Sequence, residues 1–250
     1  MKDAQTIDEV IARLDEIIAD CKKRQSRIGY FAALYRRMTV AVQTGIAQKQ
    51  FEDGNRMEQL DVIFANRYLQ AYAAYITNKP CTNAWCRAFD SAATTKLIVL
   101  QHLILGINTH INLDLGIAAA YTCPGDKIWA LQKDFEKIND IIAATSQQVQ
   151  DALAAIWFPL RFLRKISNKR EEAVLNFSIN AARKASWASA TAMALIEGEA
   201  RENYIAQMDK LVVEIAQRII APGFVMGFIL KPVLLMESKS VSGLIDILDR

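Results

Sequence analysis

The run Gln101-His102-Leu103-Ile104-Leu105-Gly106-Ile107-Asn108-Thr109-His110-Ile111-Asn112-Leu113-Asp114-Leu115 decides how this chain folds. It contains both histidines of the protein, and it sets a glutamine, two asparagines and an aspartate among leucines and isoleucines. No proline falls between Thr94 and Tyr121. At about 100° per residue, Leu97, Leu100, Ile104, Ile107, Ile111 and Leu115 share one arc of a helix. Val99, Leu103, Leu105, Leu113 and Ile117 point elsewhere. A helix over about 94–121 that is apolar nearly all round is expected to be the buried centre of a helical domain. Amides and ionisable groups interrupt it too often for a membrane span, which wants roughly 20 nearly unbroken apolar residues.

Each polar group on a buried helix must find a partner or cost about 1–3 kcal/mol. Gln101, Asn108 and Asn112 fall within about 40° of one another. His102, His110 and Asp114 spread over about 120° beside them. The two histidines are eight residues apart, about 12 Å along the axis, so one metal on a straight helix barely reaches both. His110 and Asp114, four apart on one face, are the better pair. They can form half of a site for one divalent metal, or an aspartate-oriented histidine for proton transfer. They can equally be a hydrogen-bonded core network. Gly106 costs about 1 kcal/mol relative to alanine in mid-helix, which implies close approach of another helix or of a ligand.

The pattern from Gln101 through His102, Gly106, Asn108, His110, Asn112 and Asp114 resembles the signature of a bacterial all-helical domain-of-unknown-function family. The stretch Phe64-Ala65-Asn66-Arg67-Tyr68-Leu69 is similar to a second block of that family, and Ala182-Arg183 with Ala185 and Trp187 more loosely to a third. The resemblance covers most of the chain. It implies that these residues matter, and it brings no assigned activity.

The composition agrees with helices: 52% hydrophobic residues with few glycines and prolines (10 and 5) supply a core without a loop-rich β architecture. A net charge of +3 with scattered basic residues is too little to argue nucleic-acid binding, and none is expected. The N-terminus lacks the apolar core of a signal peptide. Cys21, Cys81, Cys86 and Cys123 show no Cys-x-x-Cys spacing and read as reduced thiols of a cytoplasmic protein.

Periodicity and caps predict further helices on both sides of the centre. Thr6 and Glu9 form a capping box for a helix to about Cys21. A second helix spans about 28–47. Asn55 with Glu58 is expected to cap a third, which stops before Lys79-Pro80. There Asp61, Tyr68 and Tyr72 share a face; Asp61 either sits at the solvent edge or faces His110 with Tyr68 completing a pocket, and Arg67 is expected to neutralise Asp114 by a bidentate pair. Thr82 or Asn83 opens a short helix, and Cys123-Pro124-Gly125-Asp126 is a turn. Helical spacing runs from Ile128 to Trp157, with a bend or break at Thr145-Ser146. Pro159 and the basic link 167–170 follow, the weak candidate for a domain boundary. A helix over about 171–199 is rich in alanine and serine, and its small face is expected to pack near Gly106. An amphipathic helix over about 201–220 and a last helix capped by Ser240 complete one all-α domain, 1–250, of eight to ten helices. The apolar stretch 221–231 is too short to span a bilayer. It is expected to cover the end of the bundle or to line a ligand cavity, and covering the end is favoured over docking a membrane.

Three classes of function fit. One is an enzyme, metal-dependent or using His/Asp acid–base chemistry on a small molecule in the manner of a hydrolase. It would use His110, Asp114, His102 and Asp61, with Arg183 or Arg67 as an anion clamp. A second is a binding protein for a small amphipathic ligand, held by Gln101, Asn108, Asn112, Arg67, Tyr68 and Trp187. The third is a non-catalytic protein whose polar network fixes helix packing. The carboxylates lack the paired Glu-x-x-His pattern of di-iron bundles.

Overall fold

The computed structural model describes residues 2–141, 170–237 and 240–250. Among these it is all-α, without a strand. The helices are α1 (Ile7–Arg24), α2 (Ile28–Ala47), α3 (Gly54–Ile76), α4 (Asn83–Ser91), α5 (Val99–Thr109) and α6 (Gly116–Thr122). They continue as α7 (128–141), α8 (Arg170–Ala194), α9 (Gly198–Ile220), α10 (Phe224–Met236) and α11 (Val241–Asp249). The expected break at Thr145-Ser146, Pro159 and the possible boundary at 167–170 lie outside the described residues, except that α8 begins at Arg170.

The central helix is present but starts at Val99, five residues later than expected, because Ile98 is still extended. It is also not uniform. Between α5 and α6 the six residues His110–Leu115 form a π-helix. The rod 99–122 is apolar and long enough to cross a membrane, yet 78% of its most apolar window is buried inside the bundle. The rod is therefore a core helix. α2, α3, α4, α8 and α9 surround it.

Local signals set most of the termini. Thr6 Oγ1 accepts the Glu9 amide, as expected, and Lys22, Lys23 and Arg24 occupy the negative last turn of α1. For α3 the cap is Asp53, not Asn55: Asp53 Oδ1 accepts the Arg56 amide, and Glu58 reaches away to the Ile7 amide. Ser240 caps α11 through the Gly243 amide. Two sets of backbone amides are held from far along the chain. Asp209 on α9 accepts the Asn83 and Ala84 amides that open α4, and Asp134 on α7 accepts the Glu52 and Asp53 amides.

The small face of α8 docks ten residues, nearly three turns, further along the rod than expected. It meets the rod at Gly116, where an added Cβ would lie 3.2 Å from the Ser186 carbonyl oxygen. Gly106 instead makes room for α2: an added Cβ there would lie 2.4 Å from the Phe31 ring. The reading of four reduced thiols is corrected for one pair. Cys81 and Cys86 form a disulfide at the entry to α4, while Cys21 and Cys123 are free and buried. A pair five residues apart closes once the chain turns into a helix between them, which brings the Cα atoms to 6.1 Å.

Candidate functional site

The π segment places His110 and Asp114 at the middle of the bundle, His110 3% exposed and Asp114 wholly buried. Bonding from residue i to i+5 widens this turn and keeps residues four apart on one side. Asp114 is gripped from two helices. Arg67 Nε on α3 donates to its Oδ1 at 2.6 Å, and Trp85 Nε1 on α4 donates to its Oδ2 at 2.7 Å. His110 Nδ1 lies 3.3 Å from Oδ2. Burial alone would push the Asp114 carboxyl up. The Arg67 charge and the bonds from Arg67 and His110 outweigh it, so Asp114 titrates below the usual carboxylate range.

This fixes the electronic state of His110. Burial pushes its imidazole down against the pull of Asp114, so the ring is neutral. The carboxylate is an acceptor only, so the single ring proton sits on Nδ1 and Nε2 keeps its lone pair. Nε2 is buried and makes no hydrogen bond.

The surroundings of His110 are aromatic. Phe64 stacks on it at 3.6 Å between centroids, Tyr35 meets it edge-on at 4.4 Å, and Phe31 at 5.6 Å. Phe31 takes that position because Gly106 has no side chain. The Tyr68 hydroxyl is buried without a partner. The Tyr35 hydroxyl lacks a hydrogen bond of normal geometry, with Thr39 nearby. Both hydroxyls are held well above the ordinary tyrosine value, chiefly by burial, and for Tyr35 the Asp61 and Asp114 charges add to this. Asp61 is buried, Oδ2 has no partner, and burial followed by the charge of Glu58 raises its carboxyl to about 7. Four buried polar atoms without well-formed partners thus lie in this part of the core: His110 Nε2, the hydroxyls of Tyr35 and Tyr68, whose rings touch the imidazole, and Asp61 Oδ2, whose charge acts on Tyr35. Buried polar groups in folded proteins nearly always find a partner, so such a gathering asks for a reason.

Arg67 was expected to neutralise Asp114, and it does so through one nitrogen. Other expected residues lie elsewhere. His102 packs against Tyr30 near Arg27, and burial lowers it to about 4. The helical rise between positions 102 and 110 keeps it away from His110. Arg183 donates to the Asn139 side chain and the Phe135 carbonyl, both at 2.5 Å, and covers the Phe135 ring. Burial brings its guanidinium down to about 10. It anchors α8 to α7 with Trp187, which also packs on Phe135. The amide stripe is spent on packing: Gln101 and Asn108 donate to the Ile219 and Val212 carbonyls of α9, and Asn112 donates to Asn108.

The residues do not fit the divalent metal considered from the sequence. No group of three or more potential ligands exists among the described residues. Both Asp114 oxygens already accept from donors, one of them a guanidinium, and a cation there would have to displace it. Sequence reading missed Trp85, Phe31, Tyr35 and Phe64 as parts of this centre. In helical periodicity an aromatic wall is indistinguishable from ordinary core.

The pattern of the Family of unknown function (DUF5995) matches residues 7–222 of the chain. The chain belongs to that family. The match spans every element of this DUF5995 member that contributes to the His110 centre: α2, α3, α4 and the central rod. No curated protein and no solved structure matches it.

Proposed function

We propose that the His110 centre is a site for proton transfer on a small, uncharged molecule. Asp114, held by Arg67 and Trp85, orients His110 so that Nε2 acts as the base. The supporting observation is the unpartnered His110 Nε2 together with the unpartnered hydroxyls of Tyr35 and Tyr68, whose rings touch the imidazole, and the unpartnered Asp61 Oδ2 near Tyr35. His110 offers an acceptor, the tyrosines offer donors, and Asp61 offers either role near neutral pH. With Asp114 neutralised by Arg67, the set favours a neutral ligand with an apolar body against Phe31 and Phe64. A hydrolytic use of the site has His110 Nε2 take a proton from water as the water attacks. Phe64, stacked on the imidazole, and Arg67, bonded to Asp114, are half-buried, so the proposed route from solvent runs past this side of α3.

A packing role is favoured by a different observation, the bonding of Gln101 and Asn108 to α9, and it describes that stripe well. The two readings separate on the tyrosine hydroxyls. A hydroxyl kept for a ligand contributes nothing to the empty fold. Tyr35→Phe and Tyr68→Phe are therefore expected to leave the unfolding free energy unchanged or to raise it by about 1 kcal/mol in urea titration. A loss of more than about 1 kcal/mol in both would assign the hydroxyls to the fold and refute the proposal.

A further inference from the structure

The grip on Asp114 has a covalent neighbour. Arg67, which holds Oδ1, is on α3, and Trp85, which holds Oδ2, is on α4. The two helices are joined by residues 77–82, and the Cys81–Cys86 disulfide ties the end of that connector to the first turn of α4. Cys86 is the residue next to Trp85. α4 has only nine residues, too few to hold a helix by itself. The Thr82 side chain does not cap it, and the Thr82 hydroxyl is buried without a partner. The capping is done at a distance by Asp209, which leaves the disulfide as the local restraint on the entry to α4. Cys81 and Cys86 both reach solvent in part, whereas Cys21 and Cys123 are buried.

We propose that Cys81–Cys86 is a thiol–disulfide exchange site whose partner is a soluble dithiol, and that its oxidation state sets how firmly Trp85 holds Asp114. In the exchange a thiolate of the dithiol attacks one sulfur of the bridge and displaces the other as a thiolate. The second thiol of the reagent then attacks the mixed disulfide and leaves as the oxidised reagent. Two electrons and two protons pass from the dithiol to the protein, which ends with two thiols. The reduced connector gains freedom, and the Trp85 indole spends more time away from Asp114 Oδ2. The proposal is independent of what the His110 centre binds.

The test uses the full chain and dithiothreitol. Alkylation of the native protein followed by mass spectrometry should label neither Cys81 nor Cys86 before reduction and both afterwards. In 1H–15N spectra the indole N–H of Trp85, assigned through its contact with Tyr68, should exchange with solvent at least tenfold faster after reduction. Cys81→Ser, a half-exposed change that leaves the core intact, should reproduce the reduced spectrum without reductant. Labelling of both cysteines before reduction would overturn the proposal. So would an unchanged Trp85 exchange rate once reduction has been confirmed by mass.

Discussion

Asp61 is the group whose removal should help the protein most, and only above a defined pH. Its carboxyl is buried, Oδ2 has no partner, and it titrates at about 7 in the folded chain. In the unfolded chain it titrates at about 3.9. The folded state thus holds the proton more tightly. The resulting contribution to stability is complete below about pH 4, declines as the pH rises, and is gone above pH 7. A difference of about three pH units at 1.36 kcal/mol each gives roughly 4 kcal/mol as the upper size of that decline. Asn has the same shape and no charge, so Asp61→Asn should match wild type near pH 4 and exceed it by up to about 4 kcal/mol at pH 8. His102 and His110 slope the other way: their folded values are depressed, so their contribution grows as the pH rises towards 6.5 and is lost on acidification. Both histidines are present in each protein, so they cancel in the difference. The assay is urea unfolding of both proteins at pH 4, 6 and 8. A difference that does not change with pH, or an Asn variant weaker at pH 8, would refute the burial argument for Asp61.

Arg67→Met leaves the Asp114 carboxylate buried without its guanidinium. Because Arg67 is partly exposed, the loss should be about 1–3 kcal/mol at pH 7 and shrink as the pH falls below about 4 through the depressed Asp114 value, where the stability owed to that carboxylate is lost; unfolding at pH 7 and pH 3 checks it. Trp85→Phe keeps the ring packing but removes the donor to Asp114 Oδ2, and should cost about 1–3 kcal/mol in the same assay. Gly106→Ala drives a methyl into the Phe31 ring at 2.4 Å and should lose about 1–3 kcal/mol despite better helix propensity. Gly116→Ala, which meets the flexible Met193 tip at 3.1 Å and the Ser186 carbonyl oxygen at 3.2 Å, should lose less. Asp209→Ala uncovers the first amides of α4 and should lower stability by about 1–2 kcal/mol, read by thermal unfolding.

The all-α class, the buried centre and most helix limits were legible because they rest on local signals: apolar periodicity, the Thr6 and Ser240 caps, and the 123–126 turn. The Arg67–Asp114 pair was legible because two opposite charges on apolar helices have few other ways to be buried. What escaped depended on distance along the chain or on symmetry. Asp209 caps α4 from some 125 residues away, and Asp134 holds the amides just before α3 from some 80 residues away, and nothing near either residue announces that. The π segment is silent because a helix apolar on every side has no phase to slip. The disulfide was passed over because its spacing matches no redox or metal motif. Arg183 carried the same charge as Arg67, yet it serves α7 packing, and only the fold distinguishes an arginine that meets a carboxylate from one that meets a carbonyl and a ring.

The account turns on one protonation state. Long-range 1H–15N correlation of the imidazole nitrogens, recorded from pH 5 to 8 and assigned with His102→Gln, reads it directly. The structure predicts a neutral His110 with the proton on Nδ1 and a bare Nε2, unchanged through pH 6.5 because burial keeps its value depressed. A His110 signal that titrates as an exposed imidazole, or one protonated on Nε2 at pH 7, would contradict it and take the base out of the proposed site.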